Sequence, residues 1–593
     1  MAYSKFHECH PDFEGIPPVF HDTDGSPVYE HPYGSLLISI IKHNDTTALH
    51  LYNDCPHYQI FWQAYEASYH NPFSTALGFR SFDVLRALIQ MYLSDTSLTE
   101  PLEKYLKKFY VSLIHEACSA ADRDLVEWLI NHDPQLGTLH GRTWKDRSTL
   151  LCAAEALGEV GGLTVEAKIG ESHVVARQKA REERDRIEAF IYWLLKSGCS
   201  VSESDAYERD FENYKDSEDA ATLTGTVLCA AIPYASKELV SHLIANGADV
   251  HARQVWISNP PGISYGTGVT PLHVAASYLN LEAMQTLMDL RGTVELVEMV
   301  SVADGEGRLP LHWALQGIAD SRLERDNSEE AVSRIIETVK TLLEIKPETV
   351  DARDRHGATT FHYAVHTGLG LLAVPRVIEL LLSATSSPDV LNLRNGRGST
   401  ALGEIARPFS FFGGSLDGLP GLVRTLIAEG ADARLCASKG RSLLLVLCSY
   451  SWHEALPTTM LDFILETVDV NQTDDDGCTA LHYLVKNLGQ IGAIRHLISR
   501  GADVTVIDNT GNTPLREVVK GKMLTKMYPN REVEPLPPQI LQRTQDELIQ
   551  VLLNAGASME QANGAGETPQ QILDGGLEER KTAATGAAWL QRS

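Results

Sequence analysis

Between Gly477 and Gly511 the chain sets its apolar residues in two short stripes separated by glycine. Leu481, Leu484 and Val485 make the first and Ile494, Leu497 and Ile498 the second, each at the spacing of one face of an α-helix. Gly489 and Gly492 fall between them, so the pattern predicts two short helices rather than one long one. Thr479 stands where a hydroxyl caps the first helix, and Gly501 where a left-handed residue ends the second. The extended run ADVTV follows, and Asp508 with Gly511 signals a turn. Gly511, Thr513 and Leu515 each lie 34 residues beyond Gly477, Thr479 and Leu481, so the unit repeats. A helix pair with one apolar face cannot bury it alone and must stack on copies of itself.

The residues carrying this unit are Gly477, Thr479, Leu481 and His482, then Leu497, Ile498, Gly501, Ala502, Asp503 and Val504. The text G-x-T-A-L-H-x-L followed by L-I-x-x-G-A-D-V resembles the ankyrin repeat. The resemblance runs over about residues 112–573 and is clearest from 225. It implies an all-α solenoid of about ten to twelve stacked helix-turn-helix units with hairpin-type loops. It also implies that the fingers and first helices line a concave surface for a protein partner.

Aligned on the Thr position, worn copies are expected at Thr75, Ser112 and Thr149. Better-preserved ones follow at Thr226, Thr270, Leu309, Thr359, Thr400, Ser442, Thr479, Thr513 and Thr568, at spacings of 44, 39, 50, 41, 42, 37, 34 and 55. Stacked helices cannot change length freely, so the excess over about 33 residues belongs in loops. The domain reading is an irregular arm or cap over 1–34, degenerate repeats over 35–224 with a charged insertion at about 155–220, better-preserved repeats over 225–575, and a tail over 576–593. Within the insertion the text from Ala176 to Val201 predicts a long helix, charged at its start and apolar at its end, followed by an acidic loop.

Composition narrows the function classes. The net charge of −27, from 51 basic and 78 acidic residues, repels a polyanion on average and argues against direct nucleic-acid binding. The basic residues between Arg177 and Arg186 are interleaved with acids, which fits a solvated helix face rather than a DNA reader. Nine cysteines form no CxxC pair, so a zinc module or disulfide framework is not expected. Cys118, Cys152 and Cys229 fit small buried apolar positions in a reducing compartment. No signal-peptide pattern and no run of about 18 apolar residues is present, so the expectation is the cytoplasm or nucleus without membrane insertion.

Three motifs suggest chemistry, and each has a plainer reading. Gly262-Ile263-Ser264-Tyr265-Gly266 spells a nucleophile elbow but follows two prolines inside a finger, without the strand-to-helix sheet that motif needs. The run Asp474-Asp475-Asp476 sits where the repeat needs a turn acid, and it lacks the ligand spacing of a calcium loop. His115, His273, His312, His362 and His482 all occupy one repeat position, which predicts a recurrent hydrogen bond to the adjoining loop backbone rather than five bases. His7, Cys9, His10, His21 and His31 are scattered among prolines without ligand spacing.

No catalytic residue, cofactor or metal is therefore expected. The reading is a non-enzymatic protein-protein interaction module, monomeric apart from its partner, and the resemblance extends to regulatory adaptors of the fungal transcriptional co-regulator kind. Two alternatives are an enzyme or biosynthetic accessory protein using the array as a platform, and a cytoskeletal or membrane-protein adaptor. The residues expected to meet the partner are the loop aromatics and their neighbour, Trp256, Ile257, Tyr265, Phe409, Phe411 and Phe412.

Overall fold

Helices form where the paired stripes put them. The computed structural model describes residues 20–21, 27–28, 35–54, 72–109, 111–132, 136–143, 147–165, 173–202, 205–206, 224–257, 265–289, 292–316, 329–366, 373–405, 418–434, 436–449, 455–486, 490–520 and 538–574. Among these, twelve helix pairs follow one another, and the strands are confined to three two-stranded ribbons. The chain divides into two units, Met1–Val255 and Trp256–Ser593.

The first unit holds five pairs, from Ser35–Lys42 with Thr46–Asp54 to Val227–Ala231 with Lys237–Ala245. Its fourth pair is long. Thr149–Val165 packs on the 24-residue helix His173–Lys196, so the described part of the stretch after residue 155 is largely this hairpin. The long helix buries Ile187, Phe190, Ile191 and Leu194, while Arg184 and Arg186 pair with Asp185 and Glu183.

Two register assignments need correction. The helix expected to open at Thr75 begins at Pro72, because proline pre-sets the first helical turn. The helix expected to be capped by Thr149 is capped by Ser148, whose Oγ accepts the Leu151 N–H at 3.2 Å. Thr149 instead donates to the Leu139 carbonyl at 2.7 Å.

The second unit has seven pairs in two layers. Each first helix packs on the next first helix, from Pro271–Ser277 through Pro514–Val519. Each second helix packs on the next second helix, from Leu281–Asp289 through Ile491–Ser499. The third position of all seven motifs is apolar and buried: Leu272, Leu311, Phe361, Leu402, Leu444, Leu481 and Leu515. Gly501 adopts φ +94° at the end of its helix, the conformation anticipated there. Cys118, Cys152 and Cys229 are buried free thiols, and burial pushes the Cys229 thiol up to about 12. Among the described residues no helix is long and apolar enough to cross a membrane.

Candidate interaction surface

Six of the seven repeats of the second unit end in a finger built around one acid or amide, and the seventh, 434–441, closes instead through the N–H groups of Cys436 and Ala437 on the Arg441 carbonyl. Asp304 Oδ1 accepts the N–H groups of Glu306 at 2.9 Å and Arg308 at 2.8 Å. The same double acceptance recurs at Asp354, Asn395, Asp474, Asp508 and Asn563. A short side-chain acceptor held two and four residues from its donors bends the backbone into a closed turn. The turn needs a left-handed residue at its third step, and glycine supplies it, as at Gly477 with φ +76° and Gly511 with φ +80°.

Asp474 thus spends one oxygen on the turn and the other on Tyr483 and Arg441, whose contacts lie at 2.5 Å and 3.3 Å. Burial raises its pKa, but hydrogen bonds from Tyr483, the Cys478 N–H and Arg441 outweigh that, and its carboxyl stays below the ordinary range. The acidic run is a turn acid with two exposed neighbours.

Successive fingers are zipped through their backbones. A residue one step after the turn acid donates to a carbonyl of the preceding finger: Arg355 to Glu306 at 2.8 Å, Gly396 to His356 at 2.5 Å, Asp475 to Lys439 at 2.9 Å, Asn509 to Asp476 at 3.0 Å and Gly564 to Thr510 at 3.2 Å. The row begins where Gly305 donates to Thr267, on the ribbon strand Tyr265–Val269. These bonds join neighbouring fingers in two runs, from Thr267 to Gly396 and from Lys439 to Gly564, and the step between the runs is bridged by the Thr400 N–H donating to the Cys436 carbonyl at 2.8 Å and Arg394 donating to the Ala437 carbonyl at 3.1 Å.

The histidines tie helix to finger. The backbone N–H of Thr270 can only donate, and it lies 3.2 Å from His273 Nδ1, so that nitrogen accepts and the ring carries its proton on Nε2. The Thr270 hydroxyl then donates to the same Nδ1 at 2.8 Å, and Nε2 donates to the Arg308 carbonyl in the next finger at 3.1 Å. His362 reaches the Ser399 carbonyl at 2.9 Å and His482 the Asn512 carbonyl at 3.0 Å in the same way. His115 does so in the first unit, to Gly141 at 3.0 Å. His312 departs from the pattern. Leu309 has no hydroxyl to offer, and the buried His312 Nε2 meets no acceptor with hydrogen-bond geometry among the described residues. Burial drives His115 and His312 down to about 4, and His362 and His482 in the same direction.

Thr270→Ala removes a helix cap and one of the two donors to His273, and is expected to cost about 1 kcal/mol. The midpoint of urea unfolding, compared with the parent, checks it.

Of the six residues expected to meet a partner, Trp256 alone has a described side chain. It is half-buried, with its ring edge-on to Tyr278 at 6.2 Å and its Nε1 buried. Ile257 and Tyr265 lie on the paired strands Gln254–Ile257 and Tyr265–Val269. Phe409, Phe411, Phe412 and Ser264 fall outside the described residues, as do His7, Cys9, His10 and His31. What sequence reasoning missed is the exposed basic set on the three fingers near 353–358, 394–399 and 434–441. Its signal was the local texts RDRH, RNGR and SKGR.

Residues 227–322 and 415–508 match the family model described as ankyrin repeats in three copies. The B-cell lymphoma 3 protein homolog of Mus musculus is 28% identical over 173 residues, which cover 29% of this chain and 35% of that protein. The human B-cell lymphoma 3 protein is 28% identical over 174 residues, with the same coverage. Ankyrin repeat protein OPG189 of variola virus is 27% identical over 114 residues, covering 19% of this chain and 20% of the viral protein. The matched stretch is thus about a third of the length of the mammalian relatives and a fifth of the viral one.

Proposed function

We propose that this chain, whose residues 227–322 and 415–508 match ankyrin repeats, is a non-enzymatic module holding a protein partner along its row of fingers. The observation that carries the reading is the zipper. Together with the Thr400 N–H to Cys436 carbonyl bond and the Arg394 contact to the Ala437 carbonyl, it joins finger to finger from Gly305 to Gly564 and holds their exposed side chains in a preorganised row, which lowers the ordering cost of binding. The groups that would otherwise suggest catalysis are spent on architecture. Nδ1 of each motif histidine accepts from its own helix start, and four of the five donate from Nε2 to a neighbouring backbone. Trp256, with Ile257 and Tyr265 on the enlarged first finger, and the phenylalanines at 409, 411 and 412 are proposed to extend this surface. Within the reading, the finer role is a regulatory adaptor acting on transcription through that partner, in the cytoplasm or nucleus.

Affinity capture on the full chain tagged at its C-terminus, followed by mass spectrometry, tests the proposal. A partner recovered by the parent and lost from Trp256→Ala at unchanged melting temperature is the expected result. Failure of the parent to recover any specific partner would overturn the module reading. Full recovery by Trp256→Ala would remove that ring from the surface.

A further inference from the structure

The acidic chain carries its exposed positive charge unevenly along the finger row. Three consecutive fingers, 353–358, 394–399 and 434–441, contain seven Lys or Arg residues and one acid. That acid, Asp354, is buried in its turn and is committed to His356, Ala358 and Tyr363. Arg353, Arg355, Arg397, Arg434 and Lys439 are exposed. The fingers are held side by side: Gly396 donates to the His356 carbonyl, and Arg394 reaches across to the Ala437 carbonyl at 3.1 Å.

The basic stretch is bounded at both ends by acid. Glu306 on the preceding finger meets His356 at 3.1 Å, and Asp476 on the following finger pairs with Lys439 at 2.8 Å. At physiological salt the screening length is about 8 Å, so an exposed tip responds to its neighbours on the row rather than to the net charge of the whole chain. A local field of opposite sign to the bulk results.

We propose that these three basic fingers bind an acidic segment of the protein partner, with Arg355 and Arg397 as its central contacts. This deepens the protein-binding reading and rests on it. Arginine offers a planar fork of donors that matches a carboxylate in two places at once, and Arg355 and Arg397 stand exposed on adjoining fingers. A peptide is favoured over nucleic acid because the stretch is short. A long polyanion laid along the row would meet Glu306 at one end and Asp475 and Asp476 at the other, whereas a short acidic segment fits between them.

The test is a titration of the full chain with a labelled peptide of alternating glutamate and serine, the same peptide with glutamine for glutamate, and DNA and RNA of matched length. The glutamate peptide is expected to bind and the glutamine peptide not to. Arg355→Glu with Arg397→Glu should weaken binding by about tenfold or more, as expected when interfacial charge pairs turn repulsive. The control, Arg334→Glu with Lys340→Glu on the exposed face of the helix Glu329–Ile345, makes the same charge change and should leave binding unaltered. Equal binding of both peptides, absence of binding, tighter binding of either nucleic acid, or an equal loss in the control would overturn the proposal. Partner capture separates the two levels. If the parent recovers its partner and the Arg355→Glu, Arg397→Glu protein recovers it equally, the basic fingers are not the site while the module reading stands.

Discussion

Trp313→Ala is expected to cost about 3–5 kcal/mol, the range for removing a large aromatic side chain from a packed core. Trp313 is fully buried in the first helix of its repeat, and its Nε1–H donates to Asp304 Oδ2 at 2.9 Å. Arg308 lies over the ring at 4.9 Å, and His273 of the preceding repeat meets it edge-on at 5.8 Å. One side chain therefore fills the space between two repeats and braces the turn acid of its own finger. The backbone at Gly266 also approaches closely: a Cβ there would come within 2.8 Å of the Trp313 ring. Trp313→Phe keeps most of the volume and loses the indole N–H, for which about 1 kcal/mol is expected. Urea unfolding of the three proteins checks both figures. An unchanged midpoint for Trp313→Ala would contradict the packing described.

Acid should destabilise the chain well before its carboxylates titrate. His115 and His312 have folded-state pKa values of about 4 against 6.5 for the free side chain, because burial penalises the charged ring. The sign follows from proton uptake. Between those values the unfolded chain binds a proton that the folded chain refuses, so stability rises with pH across the window and falls as pH drops from about 6.5 toward 4. At pH 5 the loss amounts to about 2 kcal/mol for each of these two histidines. His362 and His482 add to it in the same direction. Geometry explains the refusal, since at His362 and His482 a proton on Nδ1 would face the threonine N–H that already donates to it. Unfolding midpoints at pH 7 and pH 5 measure the effect, and His312→Gln should flatten the dependence. Stability that held constant or rose from pH 7 to pH 5 would contradict the buried neutral rings.

How much of this was legible in the chain differs by element. The helix pairs and the Thr-x-x-His start were readable because capping and apolar spacing are local. Thr270, Thr359 and Thr479 stand at helix starts where the pattern puts them. The register slipped where two candidates adjoin. At Ser148-Thr149 either hydroxyl can cap, and packing selects the serine. At Thr75 a favourable text lies inside a helix already begun by Pro72. The role of the histidines was visible in outline from five occurrences at one position, but the carbonyls that four of them reach lie 26 to 37 residues away and are set by stacking. The zipper was invisible because its donors and acceptors are backbone groups, which sequence does not distinguish. The basic fingers were masked by the net charge of −27, since their arginines line up only once the fold lays the fingers side by side.

Labelling of arginines by phenylglyoxal, with and without the captured partner, reads whether the finger row holds that partner. Arg355 and Arg397 should react readily in the free chain and be shielded in the complex, while Arg334 on its exposed helix face reacts equally in both. Equal modification of all three arginines, free and bound, would contradict it.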